Sequence, residues 1–227
     1  MSQAEQAAAR RRERWVLLAV LTVLVVVVVG GGIGLQAWRT GRAPAAPAVS
    51  AASAVAPVTL TAGQPVTFGA AQAPKVVTLF ADFHCPHCAE FEEEYGPVLD
   101  VARQAGQIRL EVYPMAFIDE GSAGAANAFG CAAEAGFGAS YFAGLFANAQ
   151  LRWSDEQLLA LPQAVGATAT PEFEQCVTGR AQEDWVESIN AAAAERGVTS
   201  TPTLLVGGTA VDLTKLTPEG LAAMINS

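Results

Sequence analysis

Both histidines of the chain and two of its four cysteines fall within five consecutive positions, His84-Cys85-Pro86-His87-Cys88. A two-residue spacing brings the sulfurs close enough for a reversible disulfide, and a thiolate at the first sulfur is the species that exchanges with other thiols. His87 supplies a hydrogen-bond donor and, when charged, a cation beside the Cys85 sulfur. His84 reads as consistent with simple exposure. Zinc would require a second ligand pair, and Cys131 and Cys176 are single residues far apart on separate helical segments, so no metal is expected. A purely structural Cys85–Cys88 bridge would close too short a loop to stabilise much.

The flanking sequence positions this dithiol. Val76–Phe83 is a continuous apolar run rich in β-formers, which predicts a strand buried on both faces. After it, Pro86 suits a first helical turn, and Phe91, Tyr95, Val98, Leu99 and Ala102 recur at helical spacing. Cys85 is therefore expected at a helix N-terminus, where free N–H groups and the helix dipole stabilise a thiolate. Cys88, one turn further in, is the expected buried partner.

Ile108–Tyr113 reads as the next strand, and Val58–Phe68 as a short strand or two before the first. Helical periods then run through Ser122–Gly136, Ala139–Asn148, Ser154–Val165, Pro171–Thr178 and Glu183–Arg196, with Ser122, Ser154 and Thr170 in capping positions. Thr203–Val206 and Thr209–Leu213 form a hairpin signal about Gly207-Gly208, and Pro218–Ile225 is a last helix. Strands at both ends with helices between them predict an α/β core carrying a helical insertion at about 122–197.

The rest of the chain has a different character. Residues 1–42 hold six Arg against two Glu, whereas the remainder is strongly acidic within a formal net charge of -9. Without a sustained basic face, nucleic acid is not an expected partner. No residue from Trp15 to Trp38 is charged, and as a helix that stretch covers about 35 Å, enough for a hydrocarbon core about 30 Å thick. Arg10, Arg11, Arg12 and Arg14 precede it, so the positive-inside rule predicts a cytoplasmic tail over 1–14, a transmembrane helix over 15–38 and an exported remainder. The apolar length, and Arg39 and Arg42 before the next small residues, argue for a retained anchor over a cleaved signal peptide. Residues 39–57, rich in Ala, Pro and Ser, read as a tether, which leaves 58–227 as the folded domain.

FADFHCPHCAEF, followed far downstream by GVTSTPTLLVGG, resembles the DsbA-like branch of the thioredoxin superfamily over about Val66–Ser227. The resemblance implies a thioredoxin fold with a helical insertion, preceded here by one transmembrane helix. It also implies a redox site at Cys85, Pro86, His87 and Cys88 that needs no cofactor beyond its own disulfide, and a cis proline at Pro202. A cis bond there would turn the chain and expose the Thr201 backbone to an incoming peptide. The implied activity is donation of the Cys85–Cys88 disulfide to unfolded secreted proteins at the cell membrane. Re-oxidation would come from a quinone-linked membrane partner, as the similar membrane-anchored actinobacterial oxidases suggest. The alternatives are a tethered reductase or isomerase, or a redox-inert module that binds a metal or a client. One departure stands out: related enzymes place a buried acid six residues before the first Cys, where this chain has Leu79. Asp82 is the nearest carboxylate. Outside the cytoplasm an even cysteine count is expected to pair, which joins Cys131 to Cys176 as a structural clamp on the insertion.

Overall fold

The computed structural model describes residues 44–45 and 57–227. The expected basic tail, the membrane segment and nearly all of the tether lie outside those residues. Among the described residues, no helix is long and apolar enough to cross a membrane.

The central run forms β2 (Lys75–Asp82), followed by α1 (Pro86–Gln104) and β3 (Ile108–Met115). β2 and β3 pair in parallel from Lys75↔Ile108 to Asp82↔Met115, the connection that needs a crossover helix. β1 (Val66–Gly69) lies antiparallel on the other side of β3, and β4 (Thr203–Val206) antiparallel against β2. β5 (Thr209–Ala210) completes the order β1-β3-β2-β4-β5. Consecutive residues of the middle strands, Leu79 and Phe80 or Val112 and Tyr113, point to opposite faces and are all buried, so both faces of the sheet are covered. The hairpin turns at Gly207 and Gly208, whose φ values of 58° and 80° suit the left-handed pair that a tight hairpin requires. β5 stops short of the expected Leu213 because Asp212 turns the chain, accepting the Thr214 N–H at 3.1 Å and its hydroxyl at 2.6 Å.

Between β3 and β4 stand α2 (Glu120–Glu134), α3 (Gly138–Ala147), α4 (Asp155–Ala164), α5 (Pro171–Thr178) and α6 (Glu183–Glu195), and α7 (Pro218–Asn226) closes the chain. Ser154 and Thr170 cap α4 and α5 as expected. Ser122 does not cap α2. Asp119 does, accepting the Ser122 N–H at 3.0 Å, so the helix starts two residues earlier and the Ser122 hydroxyl is free for another bond.

Small residues let the helices of the insertion approach closely. A Cβ on Gly144 would meet Val165 Cγ1 at 2.5 Å, and one on Gly130 would meet Leu60 and Trp185 at 3.0 Å. The insertion joins the sheet through rings. Phe83, at the end of β2, packs on Phe129 of α2 with centroids 5.5 Å apart, and on Phe142 and Phe146 of α3 at 5.9 and 5.0 Å. Each such pair contributes about 0.5–1.5 kcal/mol beyond burial. Together they fix the end of the strand that leads into the cysteines. Of the few described residues in the stretch expected to be a tether, Ala45 is held by Asn148, which accepts its N–H at 2.7 Å and donates to its carbonyl at 2.8 Å.

Candidate active site

Cys85 is the N-cap of α1, with Pro86 at the first helical position. β2 ends at Asp82, whose carbonyl accepts the Cys85 N–H at 3.0 Å, and the Cys85 carbonyl starts the helix by accepting from Cys88 and Ala89. An N-cap side chain ordinarily takes an N–H of the first turn, but here no side chain caps the helix. Those donors and the positive end of the helix dipole are left for whatever charge the Cys85 sulfur carries.

Cys85 Sγ donates to the Thr201 carbonyl at 3.4 Å, across 116 residues of sequence. The Thr201–Pro202 peptide bond is cis. Antiparallel pairing of β4 with β2 brings this corner to the helix start, since Phe80↔Thr203 is the last register pair before it. Both cysteines are in the dithiol form. Cys85 keeps 6% of its surface exposed and Cys88 none, so the first sulfur is the reachable one, through a narrower opening than its helix position alone predicts. Burial raises the Cys88 thiol pKa, the Asp82 N–H and the Thr201 hydroxyl pull it down in part, and the neighbouring Cys85 pushes it up again. The net direction is upward, which keeps Cys88 a protonated thiol.

The two histidines have different surroundings. His87 is three-quarters exposed, with Nδ1 2.9 Å from Glu90 Oε2, so that ring nitrogen is engaged by a carboxylate of its own helix. His84, expected to be exposed, is 2% exposed in its side chain, and its Nδ1 lies 2.6 Å from Asp119 Oδ1. The reason is tertiary: α2 begins beside the β2–α1 link and covers the ring with Gly121, whose missing side chain makes the space.

Leu79 is buried in the sheet, and Asp82 is fully buried as well. The Asp82 carboxylate accepts the His84 N–H at 2.8 Å, the Ser122 hydroxyl at 2.8 Å and the Phe117 N–H at 3.3 Å. Its bonds go to the loop and α2. It is the Asp82 backbone that lowers the Cys88 pKa in part. Asp119 carries a second set of contacts and binds Arg152 Nη1 at 2.8 Å. Partial burial opposes its ionisation, but the Ser122 N–H, His84 and Arg152 outweigh that and hold its pKa below the usual carboxylate value. Asp119, Ser122 and Arg152 were not singled out from sequence as site residues. The one available signal was the cap pattern of Asp119 three residues before Ser122.

Cys131 and Cys176 form a disulfide between α2 and α5, with Cα atoms 5.9 Å apart. Neither Cys85 nor Cys88 lines the groove of about 410 Å³ between α1 and α7 or the 40 Å³ cavity around Glu92.

The family model described as thioredoxin matches residues 61–227. Among solved structures, the chain is similar to reduced DsbA from Mycobacterium tuberculosis, with 23% identity and a TM-score of 0.62 over 72% of this chain and 91% of that one. It is also similar to MdbA, a thiol-disulfide oxidoreductase from Actinomyces oris, with 23% identity and a TM-score of 0.62 over 78% and 91% of the two chains. Oxidised BdbD from Bacillus subtilis matches at 20% identity and a TM-score of 0.62, over 77% of this chain and 97% of its own. No curated protein sequence matches the chain.

Proposed function

The chain belongs to the thioredoxin family, and from the geometry at Cys85 we propose that it is an extracytoplasmic thiol-disulfide oxidoreductase that donates a Cys85–Cys88 disulfide to secreted proteins. The observation that carries this reading is the placement of the cysteines. Cys85 sits uncapped at a helix N-terminus against the carbonyl before a cis proline, while Cys88 is fully buried with a raised pKa.

In the oxidised protein, a substrate thiolate attacks Cys85 Sγ, the sulfur–sulfur bond breaks, and Cys88 leaves with the electron pair and takes up a proton. A protonated Cys88 is a poor nucleophile toward the mixed disulfide, so that intermediate lasts. A second substrate thiolate then attacks the substrate sulfur, forming the substrate disulfide, and Cys85 departs as a thiolate. Two electrons have passed to the protein, and no cofactor beyond the dithiol is required. The helix N-terminus stabilises the departing Cys85 thiolate, which favours the reduced protein and raises the potential.

Thr201, beside Pro202, offers its backbone for pairing with an extended peptide. Phe117 and Ile118, in the loop that carries Asp119, are 50% and 45% exposed and offer apolar contact to an unfolded chain. Cys85 lines neither the groove nor the small cavity, and its sulfur lies against the backbone before the cis proline, an arrangement that suits an extended polypeptide better than a small molecule. The uncharged stretch at 15–38 would tether the domain to the outer face of the cell membrane, near a quinone-linked partner that re-oxidises it.

Equilibration of the dithiol with glutathione tests the direction. A potential of about -120 to -180 mV, the range from DsbA to protein disulfide isomerase, supports donation of the disulfide. A value near about -270 mV, as in thioredoxin, would make the protein a reductase.

A further inference from the structure

Four residues that flank the cysteines in space close a circuit. His84 donates its backbone N–H to Asp82 Oδ1 at 2.8 Å, and Ser122 donates its hydroxyl to the same oxygen at 2.8 Å. Ser122 also donates its backbone N–H to Asp119 Oδ1 at 3.0 Å, and His84 Nδ1 approaches that oxygen to 2.6 Å. Each carboxylate therefore holds both His84 and Ser122, one through backbone and the other through side chain. His84 Nδ1 and Asp119 Oδ1 lie within ion-pair distance without hydrogen-bond alignment, and the contact is an ion pair whenever the imidazole carries its proton. The remaining carboxylate oxygens are occupied too, Asp82 Oδ2 by the Phe117 N–H and Asp119 Oδ2 by Arg152.

We propose that His84 is a positioning residue for Cys85: the Asp82–His84–Asp119–Ser122 circuit fixes the peptide that carries the sulfur and makes the first helix of the insertion a working part of the thiol site. The proposal rests on the reading that Cys85 is the attacked sulfur. His84 is bonded directly to Cys85, so any swing of its backbone moves Cys85 against the Thr201 carbonyl and the N-terminus of α1. The side chain and the backbone N–H of His84 are gripped by different carboxylates, which removes the rotation that a single contact would leave. With every oxygen of both acids engaged, the acids serve as holders and not as a proton relay to Cys88. Gly121 completes the seat, because any side chain there would occupy the volume of the imidazole.

The test uses the full-length reduced protein in detergent, with wild type beside His84→Ala, His84→Gln and Gly121→Ala. Three quantities are read: the rate of Cys85 reaction with oxidised glutathione, the pH midpoint of thiolate absorbance, and the melting temperature. Displacement of a reacting group by a fraction of an ångström is costly, so His84→Ala is expected to slow Cys85 about tenfold or more and to move the thiolate midpoint. Gly121→Ala, which displaces the ring without touching its chemistry, is expected to do the same. His84→Gln, which keeps a polar N–H group within reach of Asp119, is expected to recover most of the rate. Fast Cys85 chemistry in wild type, with unchanged rate and midpoint in both His84→Ala and Gly121→Ala and only a lower melting temperature, would reduce the circuit to ordinary structure and overturn the proposal. A wild-type protein in which Cys85 reacts no faster than Cys88 would overturn the oxidoreductase reading itself, and this inference with it.

Discussion

Cys85 and Cys88 differ by one helical turn, and that turn separates a sulfur with a way out from one with none. Alternate variants should divide accordingly. Cys88→Ala leaves a nucleophile that cannot be released internally, so it should accumulate mixed disulfides with client proteins, while Cys85→Ala should trap few. Non-reducing gels of the two variants, expressed at equal levels, make the comparison, and equal trapping would reject the assignment. The cluster was legible in the sequence because both His and two Cys share five positions. The fate of each histidine was not. Burial of His84 depends on where α2 starts and on Gly121, far along the chain, and no local rule transmits that. His87, read as a cation for the Cys85 sulfur, also meets Glu90 one turn away on the exposed face of α1, a contact the motif alone did not indicate.

α1 carries a second unusual group. Glu92 is half-buried as a residue, yet its Oε1 is out of reach of solvent and has no hydrogen-bond partner. The small cavity beside it is lined as well by Asp100 and Arg103 of the same helix, while Phe68 of β1, Leu110 of β3 and Ala139, Phe142 and Ala143 of α3 supply no titratable group. Burial first, and the Asp100 charge second, push its pKa up to about 8 from 4.5. The folded state therefore holds a proton that the unfolded chain releases earlier. Stability from this residue is complete below about 4.5 and declines as pH rises through about 8, with a slope of up to about 1.4 kcal/mol per unit. Glu92→Gln should flatten that decline in denaturant melts between pH 5 and 9, and parallel curves for the two proteins would refute the assignment. The insertion offers a separate check. Its disulfide closes a 45-residue loop, worth about 4 kcal/mol by chain entropy. Replacing Cys131 and Cys176 together by Ala should lower the melting temperature by many degrees while thiol exchange by the folded protein persists. Lost exchange at unchanged stability would instead mark a relay.

At the scale of the whole chain, the charge pattern predicts that residues 1–14 stay in the cytoplasm and that everything after Trp38 is exported. Protease added to intact protoplasts should then degrade the cysteine-bearing domain, and its survival would sink that topology. The sequence alone determined whatever rests on short-range periodicity and composition: the strand–helix–strand order around the dithiol, the helical block after it and the glycine hairpin. In each, the physical cause lies within a few residues of its effect. Only the tertiary structure decided that the Thr201 carbonyl meets Cys85 Sγ, because β4 must first pair antiparallel with β2 across more than a hundred residues. It decided, too, that Asp119 and Ser122 reach back to Asp82 and His84. A carboxylate in sequence carries no mark of which distant donors will surround it, and burial makes it take the donors that packing brings within reach.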